Sequence, residues 1–140
     1  MNFRNRKLVL TVRTIFGLFL LLSGLGGLLQ GSSTQGVPTE MIPIMQVLWS
    51  TGLLTLIKTT EFVSGLMFLF GFFPALAAIF IAPVGVGIVI FNSLTMPAFA
   101  IFGVIVCLFD AYFGYAYWDQ YRALFARKKD LHRQTNSARK

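Results

Sequence analysis

The sequence predicts an all-α integral membrane protein, a bundle of four transmembrane helices. Hydrophobic residues make up 56% of its 140 residues and charged residues only 12%, whereas soluble domains carry roughly 25% charged residues. The apolar residues also fall into four long stretches, each close to the ~20 residues that a helix needs to cross a bilayer. Helices are expected because a helix satisfies its own backbone hydrogen bonds in lipid.

The four spans are predicted at about residues 8–29, 47–70, 75–91 and 98–118, within a transmembrane domain of residues 1–118. The first is expected to remain uncleaved, because its apolar run is longer than the roughly 7–15 residues of a signal-peptide core and Arg13 interrupts it. Pro74 and Pro97 stand where the third and fourth helices would begin, a position that tolerates a residue without an N–H group. The links before these prolines are short, which predicts antiparallel neighbours.

Positive charge is concentrated at the two ends of the chain. Three Lys or Arg residues precede residue 8 and seven occur from Arg122 onward, while the polar segment 30–46 has none. The positive-inside rule therefore predicts an N-in/C-in topology with both termini cytoplasmic, which requires an even number of spans. Residues 119–140 are predicted to be a basic cytoplasmic tail that lies on anionic lipid or docks a protein. No nucleic-acid motif accompanies the basic run, so no nucleic-acid partner is expected.

Small residues predict where the helices touch, because close packing rather than a hydrophobic drive associates helices in lipid. The first span carries glycines at seven-residue spacing, with one further glycine four residues before the last of them. The third carries alanines at helical spacing. The predicted packing residues are Gly17, Gly24, Gly27, Gly31, Ala78 and Ala82.

Four charged residues interrupt the apolar stretches: Arg13, Lys58, Glu61 and Asp110. A charge at the bilayer centre costs roughly 3 kcal/mol on insertion scales, so such residues usually pair inside a bundle. The two carboxylates are predicted at nearly equal depth in the inner half of the membrane, within reach of Arg13, with Lys58 at i−3 from Glu61 on one helical face. The set would be a neutral ionic cluster. Three interpretations stay open: a structural clamp, a ligand or proton site, or charges reaching an interface, the last mainly for Arg13.

The inventory of reactive side chains excludes several chemistries. Cys107 is the single cysteine and His132 the single histidine, which excludes an internal disulfide, a C-x-x-C redox pair and a His/Cys metal site within one chain. No metal site is therefore predicted, and no cofactor motif is detectable. The catalytic residues are unknown, and without a nucleophile–base pair the chain is not expected to be an enzyme by itself.

Three segments carry a resemblance to a known family. RTIFGLFLLLSGLGGLL opens the first span, KTTEFVSGLMFLFGFFPALAAIFIAP runs through the second into the third, and AYWDQYRALF closes the fourth. Together they resemble the DoxX-like family of small four-span bacterial membrane proteins, over roughly residues 10–126. The family's polar positions fall on Arg13, Lys58 and Glu61. This chain has Gly87 and Asn92 where related sequences often show Asn and His.

The resemblance implies a bacterial inner-membrane protein that acts as an accessory or anchoring subunit of a quinone-linked redox complex. A soluble or membrane oxidoreductase partner would carry the cofactor, and the bundle would lend a pocket for a quinone. The alternative is a small homo-oligomeric transporter or proton-coupled protein that uses Glu61 and Asp110. A third hypothesis, an enzyme using buried carboxylates for acid–base chemistry, lacks an accompanying motif.

Overall fold

The computed structural model describes residues 5–125, and within that range it contains helices and no strand. Six α-helices follow one another, with 3-10 turns at Thr39–Met41 and Pro97–Phe99. They are α1 (Arg6–Gln30), α2 (Ile42–Ser50), α3 (Leu53–Phe70), α4 (Pro74–Thr95), α5 (Ala100–Ala116) and α6 (Trp118–Phe125).

Four helical segments are long and apolar enough to cross a membrane: Arg6–Gln30, Leu53–Phe70, Pro74–Thr95 and Pro97–Ala116. Many of their large apolar side chains are exposed on the outside of the bundle, as lipid requires. The predicted all-helical, four-span architecture is confirmed for the described residues. The fold is that of a multi-pass membrane protein.

The second apolar stretch is not one continuous helix. A span was expected over residues 47–70, but α2 ends at Ser50 and α3 begins at Leu53. Gly52 between them has φ +74°, a left-handed conformation that only glycine adopts readily and that stops helical hydrogen bonding. The third span is longer than the predicted 75–91, since α4 continues to Thr95. Of the predicted tail, α6 covers the first residues, and residues 126–140 lie outside the described part of the chain.

Gly17 and Gly24, two of the predicted packing residues, lie where α1 and α3 are in close contact. A Cβ atom on Gly24 would lie 2.5 Å from the Phe62 backbone nitrogen, and one on Gly17 would lie 3.0 Å from the Leu69 nitrogen. The backbones thus touch where a side chain would separate them. Gly31 does not pack: it caps α1 with φ +56°, and a Cβ there would meet no atom within 4 Å.

Aromatic rings fill the core at the end of the bundle that carries the α3–α4 turn, here called the turn end. The Phe16 ring stacks on Phe109 at a centroid distance of 4.9 Å and meets Phe68 edge-on at 5.4 Å. Phe113 packs against Phe68 at 4.8 Å. On α4, Ala78 is buried in this core, whereas Ala82 is only partly buried. The rings tie α1, α3 and α5 together.

Candidate functional site

A charge pair on α3 is held by a hydroxyl from α1. Lys58 Nζ lies 2.8 Å from Glu61 Oε2 at i,i+3, the separation that places two side chains on one helical face. The Ser23 hydroxyl donates to the same Oε2 at 2.9 Å and accepts from Lys58 Nζ at 3.4 Å. The Glu61 side chain is 4% exposed and that of Lys58 22%. Three side chains from two helices therefore form a closed polar triangle.

The glycines of α1 make room for this triangle. A Cβ atom on Gly27 would collide with Cδ of Lys58, so the lysine stem runs directly over that glycine. Gly24 lies against the Lys58 backbone carbonyl, where an added Cβ would be 2.8 Å away. Gly27 thus contacts α3 through a lysine stem rather than through the helix backbone.

The pair borders a groove of about 630 Å³ between α2, α3 and α4. This volume is within the range of roughly 300–1,000 Å³ typical of small-molecule sites. The walls are mostly apolar, and the lining side chains from α3 and α4 include Leu54, Ile57, Ile79, Phe80, Ile88 and Phe91. The arrangement suits a ligand with a large apolar body and a small polar end.

Two further polar side chains line the groove, and both are already bonded to backbone carbonyls. The Thr60 hydroxyl donates to the Leu56 carbonyl at 2.8 Å, and Asn92 Nδ2 donates to the Phe99 carbonyl at 3.1 Å. The Thr60 hydroxyl is thus bonded within its own helix, α3. The Asn92 amide links α4 to the turn before α5. Lys58 and Glu61 are consequently the groove's main polar contacts for a ligand.

Arg13 lies elsewhere, at the turn end of the bundle. Its guanidinium covers Gly71, where an added Cβ would be 2.8 Å from one terminal nitrogen and 2.9 Å from the other. Gly71 caps the C-terminus of α3, and the negative end of a helix dipole stabilises a nearby cation. The Nε atom of Arg13 is buried and has no hydrogen-bond partner among residues 5–125.

Asp110 is also separate from the charge pair. It lies on α5, partly buried, and its Oδ1 has no hydrogen-bond partner within the described chain. The nearby Tyr121 hydroxyl of α6 donates to the Ala75 carbonyl at 2.9 Å. Burial first, and then the Asp110 carboxylate and Tyr117, raise the pKa of Tyr121 above its ordinary value of 10.0.

The expected ionic cluster is therefore replaced by three separate sites. In the described part of the chain no ion pair joins Arg13 to Glu61 or Asp110, and Lys58–Glu61 is the pair that forms. Equal depth did not bring the two carboxylates together because depth does not fix which way a side chain points around its helix. The role of Ser23 was not predicted; its signal in the sequence was a lone hydroxyl one residue before a packing glycine.

Comparison of the chain with protein-family models, curated proteins and solved structures finds no match. Among residues 5–125, no three His, Cys, Asp or Glu side chains lie close enough together to hold a metal ion. The fold and the groove define the class: a small multi-pass helical membrane protein with a ligand-sized groove beside a charge pair.

Proposed function

We propose that the groove beside Lys58 and Glu61 binds a lipid-soluble carrier of the quinone type. The observation that carries this proposal is the combination of an apolar groove of about 630 Å³ with one charge pair at its wall. Lys58 has three ammonium N–H donors, of which two are directed at Glu61 and Ser23. The third is left for the carbonyl oxygen of a quinone ring, while the apolar walls take the ring and its tail.

In this proposal the protein is a DoxX-like accessory subunit of a bacterial inner-membrane redox complex. The partner oxidoreductase carries the electron-transfer cofactor, and the bundle holds the quinone next to it. The sequence resemblance supports this role, since two of the three family positions, Lys58 and Glu61, border the groove. Both termini are cytoplasmic, as the Lys and Arg residues at the chain ends indicate. The α2 end of the groove then faces the periplasmic side.

A second candidate is proton-coupled transport by a homo-oligomer. The specific observation in its favour is Asp110, a carboxylate in a spanning helix whose Oδ1 is buried without a partner among the described residues. Its separation from Glu61 favours the binding role over one shared proton path. Proton flux into proteoliposomes that falls on Asp110→Asn would support transport, and flux equal to that of empty liposomes would exclude it.

Filling the groove tests the binding role. Gly87 lines the groove, and a Cβ atom there would meet nothing within 4 Å, so Gly87→Leu adds a side chain to open space. Gly26→Leu is the matched control, because Gly26 is equally open and lies on α1 outside the groove. The probe is decylbenzoquinone, titrated into the purified protein in nanodiscs.

Wild type and Gly26→Leu should bind decylbenzoquinone with equal affinity, and Gly87→Leu should bind it at least tenfold more weakly. Binding that Gly87→Leu leaves unchanged would place the quinone elsewhere. No saturable binding to wild type would refute the proposed function.

A further inference from the structure

The two oxygens of the Glu61 carboxylate have different environments. Oε2 accepts from both Lys58 and Ser23. Oε1 accepts no hydrogen bond from any residue in the described range 5–125. The Glu61 side chain is only 4% exposed and forms part of the groove wall, and Oε1 is not among the fully buried unpaired atoms of the described chain, so it keeps some accessible surface. One strong acceptor therefore stands at an apolar groove without a donor.

An acceptor of this kind favours a ligand that brings a donor. Leaving a buried polar group unpaired costs about 1–3 kcal/mol, and more when the group is charged. A hydrogen bond in which the acceptor is ionised is roughly twice as strong as one between neutral groups. A ligand hydroxyl at Oε1 would remove the penalty and gain that bond.

Charge decides between kinds of donor. The Lys58–Glu61 pair is neutral as a whole, so it offers no net attraction to an ion. An ion would be attracted by one member of the pair and repelled by the other, so little net attraction would offset the cost of desolvating its charge in an apolar groove. A neutral O–H group meets neither.

We propose that the groove selects a neutral ligand whose polar end donates an O–H group to Glu61 Oε1. Within the proposed function, on which this inference rests, that ligand is the reduced carrier, the hydroquinone. The oxidised quinone has only acceptors at its ring, so it can use the Lys58 donor but leaves Oε1 unpaired. Thr60 and Asn92 do not supply the missing donor. The Thr60 hydroxyl is bonded to the Leu56 carbonyl, and Asn92 Nδ2, which uses one of its two N–H groups on the Phe99 carbonyl, is not bonded to Glu61.

Three probes with the same alkyl tail separate the effect of a ligand hydroxyl donor from the effects of ligand size and of carbonyl acceptors. Decylhydroquinone offers two hydroxyl donors, its dimethyl ether offers none at similar size, and decylbenzoquinone offers only carbonyl acceptors. Each is titrated anaerobically into the full-length protein in nanodiscs. Decylhydroquinone should bind at least tenfold more tightly than either of the others.

Variants assign the preference to Glu61. Glu61→Gln keeps the size but removes the charge, and it should reduce the hydroquinone preference to threefold or less. Glu40→Gln makes the same change at an exposed carboxylate outside the groove and should retain the preference. If Glu61→Gln does not fold, the double variant Lys58→Met with Glu61→Leu takes its place, and it should likewise show a preference of threefold or less.

The outcomes distinguish this inference from the proposed function. Equal binding of all three probes to wild type would refute the donor selection and leave the quinone site standing. A preference that a folded Glu61→Gln retains in full would refute the assignment to Glu61. Binding of none of the three would refute both.

Discussion

Lys58 Nζ and Glu61 Oε2 lie 2.8 Å apart on α3, and the Ser23 hydroxyl of α1 bonds to both side chains. The contact links two spanning helices through groups that lipid cannot solvate. It also leaves one ammonium donor and one carboxylate oxygen at the groove without a partner among residues 5–125. The same pair thus joins α1 to α3 and supplies the groove's polar contacts.

Removing one member of the pair should destabilise the protein more than removing both. Breaking a buried ion pair from one side typically costs about 3–5 kcal/mol because the other charge is stranded. Lys58→Met alone should therefore lower the melting temperature in detergent, and Lys58→Met with Glu61→Leu should recover much of the loss. The measurement is thermal unfolding followed by circular dichroism. A Lys58→Met protein as stable as wild type would show that the pair does not hold the helices.

Arg13 and Glu61 should act independently, since no ion pair joins them within residues 5–125. The changes in unfolding free energy caused by mutations at distant sites without shared partners usually add to within about 0.5 kcal/mol. Arg13→Leu should cost about 0.3–2 kcal/mol, the range for a cation at a helix C-terminus, here that of α3 at Gly71. Denaturant titration of both single variants and the double variant measures the coupling. Rescue of Glu61→Leu by Arg13→Leu would contradict the structure.

The α1–α3 contact should depend on Gly24 and not on Gly26. A Cβ on Gly24 would lie 2.5 Å from the Phe62 nitrogen, which is backbone and cannot give way. Gly24→Ala should therefore force the helices apart and destabilise by about 1–3 kcal/mol, as overpacking does. Gly26→Ala enters open space and should be neutral or slightly stabilising through helix propensity. Equal stability of the two variants would be inconsistent with this helix contact.

Tyr121 should stabilise the turn end only while its hydroxyl is protonated. Its bond to the Ala75 carbonyl needs the O–H donor, so Tyr121→Phe should cost about 1 kcal/mol near neutral pH. The raised pKa sets the direction of the pH dependence. The stabilisation by this hydrogen bond is complete below pH 10.0 and is lost as pH rises through the raised pKa of Tyr121. The difference in melting temperature between the two proteins should be largest near neutral pH and should decrease as pH rises above 10.0. A constant difference would exclude the titration of Tyr121 as its source.

Sequence patterns identified what depends on composition and on short-range spacing. Four spans follow from the length of the apolar stretches, and Lys58–Glu61 follows from i,i+3 geometry. The close approach at Gly17 and Gly24 follows from their missing side chains. The break at Gly52 was not predicted, because Thr51 and Gly52 lie inside a stretch that is apolar on average, and average hydropathy does not reveal backbone conformation.

The positions of Arg13 and Ser23 could not be predicted from the sequence for a different reason. Each depends on how the helices are rotated about their axes, which the tertiary packing determines. Its expected depth in the membrane placed Arg13 near Glu61, whereas in the structure its guanidinium lies against Gly71 in the turn after α3. Only the packed bundle showed that the Ser23 hydroxyl faces the charge pair.

Photolabelling with an azido-quinone, followed by mass spectrometric mapping, tests the central claim most directly. The groove account predicts labelled residues on α3 and α4, among them Ile57, Phe80 and Ile88, with labelling displaced by excess decylbenzoquinone and lost in Gly87→Leu but not in Gly26→Leu. Labelling confined to the α4–α5 face at Val104 and Leu108, or labelling that excess quinone does not displace, would contradict it.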